Sequence, residues 1–421
     1  MQLNDIITGT VEKVIYGGNG LIRQDNFVIF VAGTLPEEKV SAKITQLKKT
    51  YAVAELCEVI EPSKNRIDPN CRISGALKES VRIPGCVYDH VVYEEEVAIK
   101  QAQLLEFIKY MPNAENAEIL PPFKSPQELN YRNKLILHTS DKKGRGKLGY
   151  QQERSHTVID IPACPLSCAP INEKLHVIRS SDQFKNLPVK ATVTIRYTKA
   201  DGVIWWVNRP TGKSWLTEES AIGELRVSSE GFYQTNPEVS KALTQKAVDW
   251  FKEVPSQNIL DLYCGVGLFG LACMKAGGNK LTGLESGKRA ILAAKHNANQ
   301  FDIPANFQVR ELGKNELNLH QYVKDPSQTT CIVDPPRAGM DKSVTETLAK
   351  SGIPRIIYIA CNPSTLQRDL KILANEGGYT VKRIQLFDMF PRTSHFETIV
   401  EIIKPNTTPS TSSDQAAPQP D

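Results

Sequence analysis

The decisive stretch of this sequence is Asn258-Ile-Leu-Asp-Leu-Tyr-Cys-Gly-Val-Gly-Leu-Phe-Gly270. Its apolar run from Ile259 to Leu262 is typical of a buried parallel strand. A glycine loop, Gly265-Val266-Gly267, follows the strand, and a helix is predicted after the loop. Glycine has no Cβ, so such a turn lets the backbone approach a ligand closely, with the free N–H groups of the helix aimed at it. The sequence therefore predicts a ligand site at the end of this strand.

Two kinds of ligand fit this unit. Gly265-x-Gly267-x-x-Gly270 matches the dinucleotide fingerprint, and Glu285 lies about where its ribose-binding acid belongs. S-adenosylmethionine is favoured instead by Asp261, because a carboxylate attracts a sulfonium cofactor and repels a pyrophosphate. Glu285, at the end of the next strand, can accept hydrogen bonds from both ribose hydroxyls. A strand–helix turn without any ligand is the third interpretation.

The rest of the chain divides by its patterns. Residues 1–60 read as short strands separated by turn signals and predict a small β-barrel. Residues 61–230 predict a β-rich central domain. From residue 231 to 404 strands and helices alternate, which indicates a doubly wound, Rossmann-like α/β domain with its site at the strand ends. Residues 405–421, rich in Pro, Ser, Thr and Gln, are predicted to be a disordered tail.

Composition excludes few functions. The chain has 421 residues, a net charge of +4 and nine cysteines, with no N-terminal signal pattern and no apolar run near 18 residues. A cytoplasmic location without membrane contact is therefore expected, structural disulfides are not, and no obligate protein partner is evident.

One segment is more basic than the total charge indicates. Residues 131–154 contain seven Lys and Arg against two acids, with Tyr131 and Tyr150 near the two ends. This composition suits contact with a nucleic-acid phosphate backbone. A solvated hairpin without a partner is the alternative.

Reactive side chains follow three further strand signals. Asp334 ends one apolar run, Cys361 ends the next just before a predicted helix, and Glu397 begins the last strand. The helix N-terminus could favour the Cys361 thiolate. A thiolate that adds to C6 of uracil makes C5 nucleophilic enough to accept a methyl group, and a base must then remove the C5 proton. Cys361 suits the nucleophile, Glu397 the base, and Asp334 a group that orients the pyrimidine.

Taken together, these motifs make residues 231–403 resemble the RNA uracil-C5 methyltransferase family. The matching motifs are Gln234-x-Asn236, Asp261-Leu-Tyr-Cys-Gly-x-Gly267, Glu285, Asp334-Pro-Pro-Arg337, Cys361-Asn-Pro363 and His395-x-Glu397.

The beginning of the chain carries a second resemblance. Gly9-x-Val11-x-x-Val14 and Gly17-Gly18-x-Gly20 are similar to the TRAM domain, a barrel appended to RNA-modifying enzymes. Charge alone does not predict RNA binding there, since residues 1–60 hold six Lys and Arg against seven acids.

The family resemblance implies roles for individual residues. Cys361 would be the nucleophile and Glu397 the proton acceptor, with Asp334 beside the reacting base. The residues implied at or around S-adenosylmethionine are Gln234, Asp261, Tyr263, Gly265, Gly267, Glu285 and Asp334. Leu268 stands where the family often has Asn, so one cofactor hydrogen bond is expected to be missing.

A second departure concerns iron. Many TRAM-bearing members hold a [4Fe–4S] cluster through four cysteines. Cys71, Cys86 and Cys164 match three of them, but the cysteine expected near Ile83 is absent, and Cys168 is the one substitute nearby. We therefore expect no iron–sulfur cluster and no other metal.

The expected function is methylation of C5 of a uridine in RNA through a covalent adduct with Cys361. By analogy with TRAM-bearing bacterial members, 23S ribosomal RNA is the favoured substrate, and a tRNA T-loop uridine is the runner-up. A non-catalytic RNA-binding protein and a nicotinamide or flavin oxidoreductase are the competing functions.

Overall fold

The computed structural model describes residues 1–24, 27–69, 83–140, 146–152, 155–314 and 317–405. The predicted disordered tail lies almost entirely outside these residues. Within them, no helix is long and apolar enough to cross a membrane.

The N-terminal strands form one six-stranded sheet around a small core. In chain order they are β1 (Ile6–Thr10), β2 (Lys13–Val14), β3 (Asn19–Gln24), β4 (Phe27–Ala32), β5 (Lys39–Leu47) and β6 (Tyr51–Glu61). Their order is β1-β5-β6-β4-β3-β2, and only the β4–β6 pairing is parallel. Every second residue at the start of β5 is buried (Val40, Ala42 and Ile44), as period-2 patterning requires. The predicted N-terminal barrel is confirmed.

Residues between the barrel and the last domain contribute to more than one sheet. Helix α1 (Tyr93–Ile108) is followed by β7 (Glu118–Ile119), which pairs with a strand of the C-terminal sheet. Part of the stretch 61–230 therefore completes another sheet, and its role as a separate domain stays a prediction.

An antiparallel sheet forms the centre of the molecule. Its elements and the two helices between them are β8 (Lys134–Thr139), β9 (Leu148–Gln151), β10 (Val158–Asp160), α2 (Ala169–Ser180), α3 (Asp182–Lys185), β11 (Thr192–Thr198) and β12 (Gly202–Val207). The order is β10-β9-β8-β11-β12. A separate hairpin follows, β13 (Trp215–Ser220) and β14 (Gly223–Ser228). Its Leu216 and Leu225 pack in one apolar cluster with Val266 and Leu268 of the glycine loop region.

The last part of the chain alternates helices and strands, as predicted. The elements are α4 (Pro237–Glu253), β15 (Asn258–Leu262), α5 (Leu268–Lys275), β16 (Lys280–Glu285), α6 (Lys288–Gln300), β17 (Ala305–Val309), β18 (Thr329–Val333), α7 (Lys342–Ala349), β19 (Arg355–Ala360), α8 (Pro363–Gly377), β20 (Thr380–Phe387) and β21 (Glu397–Ile403). The sheet order is β17-β16-β15-β18-β19-β21-β20-β7. The predicted Rossmann-like α/β class is confirmed.

Strand direction brings the site residues to one edge of this sheet. Strands β15, β16, β18 and β19 are parallel, so their carboxyl ends meet at the same edge. Strand β21 runs antiparallel to β19, and its first residues therefore lie at that edge too. Buried apolar residues fill both faces of the sheet, as expected for strands covered by helices on both sides.

Candidate active site

The glycine loop has the backbone that its sequence predicts. Tyr263, Gly265 and Gly267 all have positive φ, at 61°, 53° and 89°. A Cβ on Gly267 would lie 2.9 Å from the Phe307 ring, whereas a Cβ on Gly265 would meet no atom within 4 Å. Gly267 is therefore required for packing, and the loop is open to a ligand on the side of Gly265.

Asp261 lies beneath this loop rather than on its open side. It is buried, and its Oδ2 accepts a hydrogen bond from the Gly270 N–H at 3.0 Å. Its Oδ1 is buried without a partner among the described residues. Burial raises the pKa of Asp261 to about 8 against the effect of the Gly270 N–H, and the charges of Asp334 and Glu285 act in the same direction as burial.

Two further acids border the loop. Glu285 ends β16 and accepts from the Gly287 N–H at 2.7 Å and from the Gly265 N–H at 3.4 Å. Asp334 follows β18 and is partly exposed. Burial, followed by the charge of Glu285, raises the pKa of Asp334 to about 7. Predicted ligand residues from three strands are thus brought together at one edge.

Gln234 and Tyr263 lie on either side of this edge. Gln234 is buried just before α4, where the side chain of Asn236 accepts from the Val239 N–H and donates to the Met389 carbonyl. The Tyr263 hydroxyl accepts from the Asp341 N–H at 3.4 Å. No described hydrogen bond joins the Gln234 side chain to the loop.

Cys361 and Glu397 lie on neighbouring strand ends. Ala360, which precedes Cys361, and Thr398, which follows Glu397, are register partners in the antiparallel β19–β21 pair. Cys361 is partly exposed and Glu397 is buried. Burial, followed by the charge of Asp334, raises the pKa of Glu397 well above its ordinary value. The predicted thiol and carboxyl are therefore adjacent, with the thiol accessible.

The predicted effect of the helix on the thiol does not decide the pKa of Cys361. Helix α8 does begin just after Cys361, but its first turn is capped by Asn362, whose side chain accepts from the Ser364 N–H. Burial, followed by the charges of Glu397 and Asp334, raises the pKa of Cys361 to about 12. Desolvation and two acids outweigh the helix N-terminus.

Arg337 is the cation of this edge. It lowers the pKa of both Cys361 and Glu397, although burial and the acids prevail. Its Nη2 lies 2.9 Å from Nδ1 and 2.7 Å from Nε2 of His395. Burial and Arg337 lower the pKa of His395 to about 4, so this ring is neutral at neutral pH. The sequence motif contained Arg337, but no role had been predicted for it.

The edge suits a cationic ligand. Its acids are not neutralised by described cations other than Arg337, and one oxygen of Asp261 has no partner. An anionic pyrophosphate would be repelled by Asp261, Glu285 and Asp334. The arrangement favours a sulfonium over a dinucleotide.

The described cysteines do not provide an iron–sulfur ligand set. Cys86 and Cys164 are buried in one apolar cluster with Ile83, and the Tyr150 hydroxyl donates to Cys164 Sγ at 3.3 Å. Cys71 lies outside the described residues. Among the residues described, no group of three or more His, Cys, Asp or Glu side chains could hold a metal. The absence of a cluster stays a prediction.

The basic segment 131–154 is only partly what its composition indicates. Tyr131 is buried, and its hydroxyl donates to the Pro391 carbonyl at 3.0 Å. Burial and Arg196 lower the pKa of Lys134 to about 8, and Arg132 lies over the Tyr131 ring. Arg132 and Lys134 are therefore partly buried and not fully available to a partner. Lys142, Lys143, Arg145 and Arg154 lie outside the described residues.

Tyr16 of the barrel is a site residue that sequence reasoning missed. Its ring centroid lies 6.4 Å from that of His395 and 5.7 Å from that of Phe396, beside Glu397. The only sequence signal nearby is the turn marked by Gly17 and Gly18. Nothing in the sequence connects that turn with residues almost 400 positions later.

Comparison with known proteins agrees with this site. Residues 221–404 match the family model described as tRNA (Uracil-5-)-methyltransferase, and residues 5–57 match the TRAM domain. An uncharacterized RNA methyltransferase of Halalkalibacterium halodurans is 27% identical over 94% of this chain and 96% of its own length. One of Listeria innocua is 28% identical over 95% of this chain and 98% of its own length.

A solved structure shares the fold. The Pyrococcus abyssi tRNA (uracil-54, C5)-methyltransferase in complex with S-adenosyl-L-homocysteine has a TM-score of 0.73 at 21% identity, covering 94% of this chain and 100% of that one. The fold, the edge of acids and the matched models lead to one conclusion. Residues 221–404 carry the pattern of the tRNA (Uracil-5-)-methyltransferase family, and residues 5–57 carry that of the TRAM domain.

Proposed function

We propose that this protein methylates C5 of a uridine in 23S ribosomal RNA, with S-adenosylmethionine as donor and Cys361 as covalent nucleophile. The observation that supports it best is the pairing of β19 with β21, which makes Cys361 and Glu397 neighbours at the ligand edge. A thiol and a proton acceptor on adjacent strands can act on C6 and C5 of the same ring.

The chemistry assigns one bond change to each residue. Cys361 loses its proton to solvent and forms the Sγ–C6 bond, and the C5–C6 electron pair moves toward the C4 carbonyl. A bound donor would supply the electrophilic methyl group that C5 accepts, its S–CH3 bond would break, and S-adenosylhomocysteine would leave. Glu397 then takes the C5 proton, the C5–C6 double bond re-forms, and the Cys361 thiolate leaves.

Charge explains why the thiol is not reactive beforehand. The pKa of Cys361 is raised to about 12 by burial and by Glu397 and Asp334. A cationic ligand beside Asp334 offsets these acids and makes loss of the thiol proton easier. Arg337 acts in the same direction. The nucleophile is therefore activated when the donor is present.

The residues proposed to hold the donor surround the glycine loop. Glu285 and Gly265 border its open side, Asp334 supplies a carboxylate, and Gly267 shapes the turn. Asp261 fastens the loop to α5 through Gly270. Tyr263 and Gln234 complete the proposed set.

The base must leave its stack to reach Cys361, so base eversion from a loop or a single-stranded segment is expected. The preference for ribosomal RNA rests on the analogy with TRAM-bearing bacterial members. The barrel itself does not discriminate, because the fold of the archaeal tRNA enzyme covers 94% of this chain. A T-loop uridine in tRNA is the second candidate.

Mapping 5-methyluridine in both RNA pools tests the proposal. RNA from cells that lack the protein is compared with RNA from cells that express either the wild type or Cys361→Ala. The expected result is one 23S position that loses the mark and regains it only with the wild type. If the mark is instead restored in tRNA, then tRNA and not 23S ribosomal RNA is the substrate. An unchanged pattern in both pools would contradict the proposed function.

A further inference from the structure

The turn between β2 and β3 of the barrel reaches the active site. Tyr16 packs edge-on against Phe107 of α1 and against Phe396, with ring centroids 5.7 Å apart in both pairs and interplanar angles of 86° and 81°. Phe396 directly precedes Glu397. A residue of the N-terminal barrel is thus part of the wall around the proposed proton acceptor.

The turn that carries Tyr16 is held firmly. Gln103 of α1 donates through Nε2 to the Val14 carbonyl at 3.1 Å and to the Ile15 carbonyl at 3.0 Å. Gly18 has a φ of 90°, and a Cβ there would lie 2.9 Å from Val87. Backbone contacts on both sides therefore fix the place of the aromatic ring.

The Tyr16 hydroxyl is buried and unsatisfied. Its oxygen has no hydrogen bond of ordinary geometry among the described residues, although the Arg337 guanidinium lies near enough to donate to it and so to lower the pKa of Tyr16. Burial raises the pKa of Tyr16, Arg337 opposes this, and the charges of Cys361 and Glu397 raise it. The group is consequently a neutral O–H donor, close to both proposed reacting residues, and no described residue accepts its hydrogen.

Leaving a buried hydroxyl without a partner costs stability, so its place calls for an explanation. The ring contacts alone do not provide one, because phenylalanine would make them equally well. A ligand that presents an acceptor to this oxygen would satisfy it. Uracil carries two carbonyl oxygens, and addition of a thiolate at C6 places negative charge on the one at C4.

We propose that Tyr16 is a substrate-binding residue whose hydroxyl donates a hydrogen bond to a carbonyl oxygen of the everted uracil. This rests on the proposed function. The bond strengthens as charge develops on that oxygen, so it favours formation of the Cys361 adduct. No proton is transferred, and the hydroxyl stays protonated. The TRAM barrel thereby contributes to catalysis as well as to RNA contact.

The first test isolates the hydroxyl with Tyr16→Phe. Its matched control is Tyr110→Phe, which removes a hydroxyl from a side chain exposed at 74% just beyond α1. Methyl transfer from tritiated S-adenosylmethionine is measured on ribosomal and transfer RNA fractions from cells lacking the protein. We expect kcat to fall about 10- to 100-fold in Tyr16→Phe, with the KM for the donor unchanged and the Tm equal to or above that of the wild type, because the hydroxyl without a partner is removed. The control should match the wild type.

A kcat within twofold of the wild type in Tyr16→Phe would overturn the proposal. So would an equal loss in Tyr110→Phe, because the effect would then not belong to the site.

A second test needs no RNA. Iodoacetamide labelling of Cys361 is followed by peptide mass spectrometry, with exposed Cys57 as the internal reference. Tyr16→Ala should label Cys361 at least threefold faster than the wild type, since removal of the ring opens the site, and Cys57 should be unaffected. Unchanged labelling of Cys361 would contradict the location of Tyr16. A wild type inactive on every RNA fraction would instead refute the proposed function, and the labelling result would still decide the place of Tyr16.

Discussion

Two clusters of buried ionisable groups lie close together in this molecule and differ in one respect. The first, which we call the paired cluster, centres on Lys100 of α1. Its Nζ donates to Glu96 and to Asp388, both at 2.7 Å, and to the Phe390 carbonyl at 3.2 Å. The second is the acidic edge formed by Asp261, Asp334, Glu397 and their neighbours, where Arg337 is exposed and the acids lack such partners.

The pKa of Lys100 expresses this difference, although burial also raises the pKa of Glu96 in the paired cluster to about 7. Burial lowers the pKa of Lys100, but Asp388 and Glu96 outweigh it and the net direction is upward, so the amine stays charged. At the acidic edge burial dominates, and the pKa rises to about 7 for Asp334 and about 8 for Asp261. The paired cluster has its cation, Lys100, within hydrogen-bond distance of its acids, whereas among the described residues no cation lowers the pKa of Asp261 or Asp334.

The difference indicates that the paired cluster supports the structure and that the acidic edge serves the activity. The paired cluster holds the segment from Asp388 to Arg392, which leads into Glu397, and Arg392 adds bonds to the carbonyls of Tyr88 and Val91. The acidic edge retains its desolvation cost until a cationic ligand arrives. Substitutions in the paired cluster should therefore act on stability, and those at the acidic edge on activity.

The largest effect is expected at the nucleophile. Cys361→Ala removes the atom that adds to C6, so methyl transfer should fall at least about 10⁴-fold, while S-adenosylhomocysteine binding and Tm stay unchanged. Filter binding of tritiated product RNA measures the methyl transfer, and calorimetry measures the ligand binding and the Tm. The control Cys57→Ala changes an exposed thiol far from the edge and should be fully active. Substantial activity in Cys361→Ala would exclude covalent catalysis.

Glu397→Gln should have the next largest effect. The amide cannot accept the C5 proton, so turnover should fall about 10²–10⁴-fold, and the methylated RNA should stay bonded to Cys361. A band of reduced mobility on a denaturing gel detects the adduct. The double variant with Cys361→Ala provides the control and should give no such band. If no RNA fraction yields an adduct, the roles assigned to this pair are wrong.

Breaking the paired cluster should cost stability. Lys100→Met leaves Glu96 and Asp388 buried without their shared cation, and we expect a loss of about 3–5 kcal/mol in unfolding free energy. Asp334→Asn at the acidic edge, by contrast, should leave the unfolding free energy at pH 7 unchanged or raise it, because the amide does not carry the cost of ionising a buried carboxyl. Urea unfolding of both variants makes the comparison. Equal losses would show that the two clusters do not differ as described.

The smallest effect is a pH dependence of ligand stabilisation. An acid whose pKa is raised in the folded state stabilises it below the unfolded value, near about 4, and this contribution is lost as pH rises through the folded value. With Asp334 at about 7 and Asp261 at about 8, the free protein should therefore lose stability between about pH 4 and 8.

A charged ligand should reverse that loss. Sinefungin carries an amine where S-adenosylhomocysteine has a neutral sulfur. The free energy by which sinefungin stabilises the protein should therefore exceed that of S-adenosylhomocysteine by more at pH 8 than at pH 5, by about 1 kcal/mol. Thermal unfolding with each ligand measures the difference, and Asp334→Asn should reduce it. An advantage independent of pH would mean that the edge does not recognise positive charge.

The sequence by itself determined the fold class and the chemical types at the edge. Apolar runs that end in Gly265-Val266-Gly267, Asp334 and Cys361 identify parallel strands, and the carboxyl ends of parallel strands must meet. Glycine spacing also predicted a loop whose backbone a ligand can approach closely, because glycine has no Cβ.

Only the tertiary structure decided which side chains are desolvated and which distant segments touch. The burial of Tyr131, the partial burial of Lys134, the raised pKa of Cys361 and the arrival of Tyr16 beside Phe396 all depend on packing between segments far apart in the chain. Burial and charge proximity are properties of the space around a group, and local patterns of residues carry no information about that space.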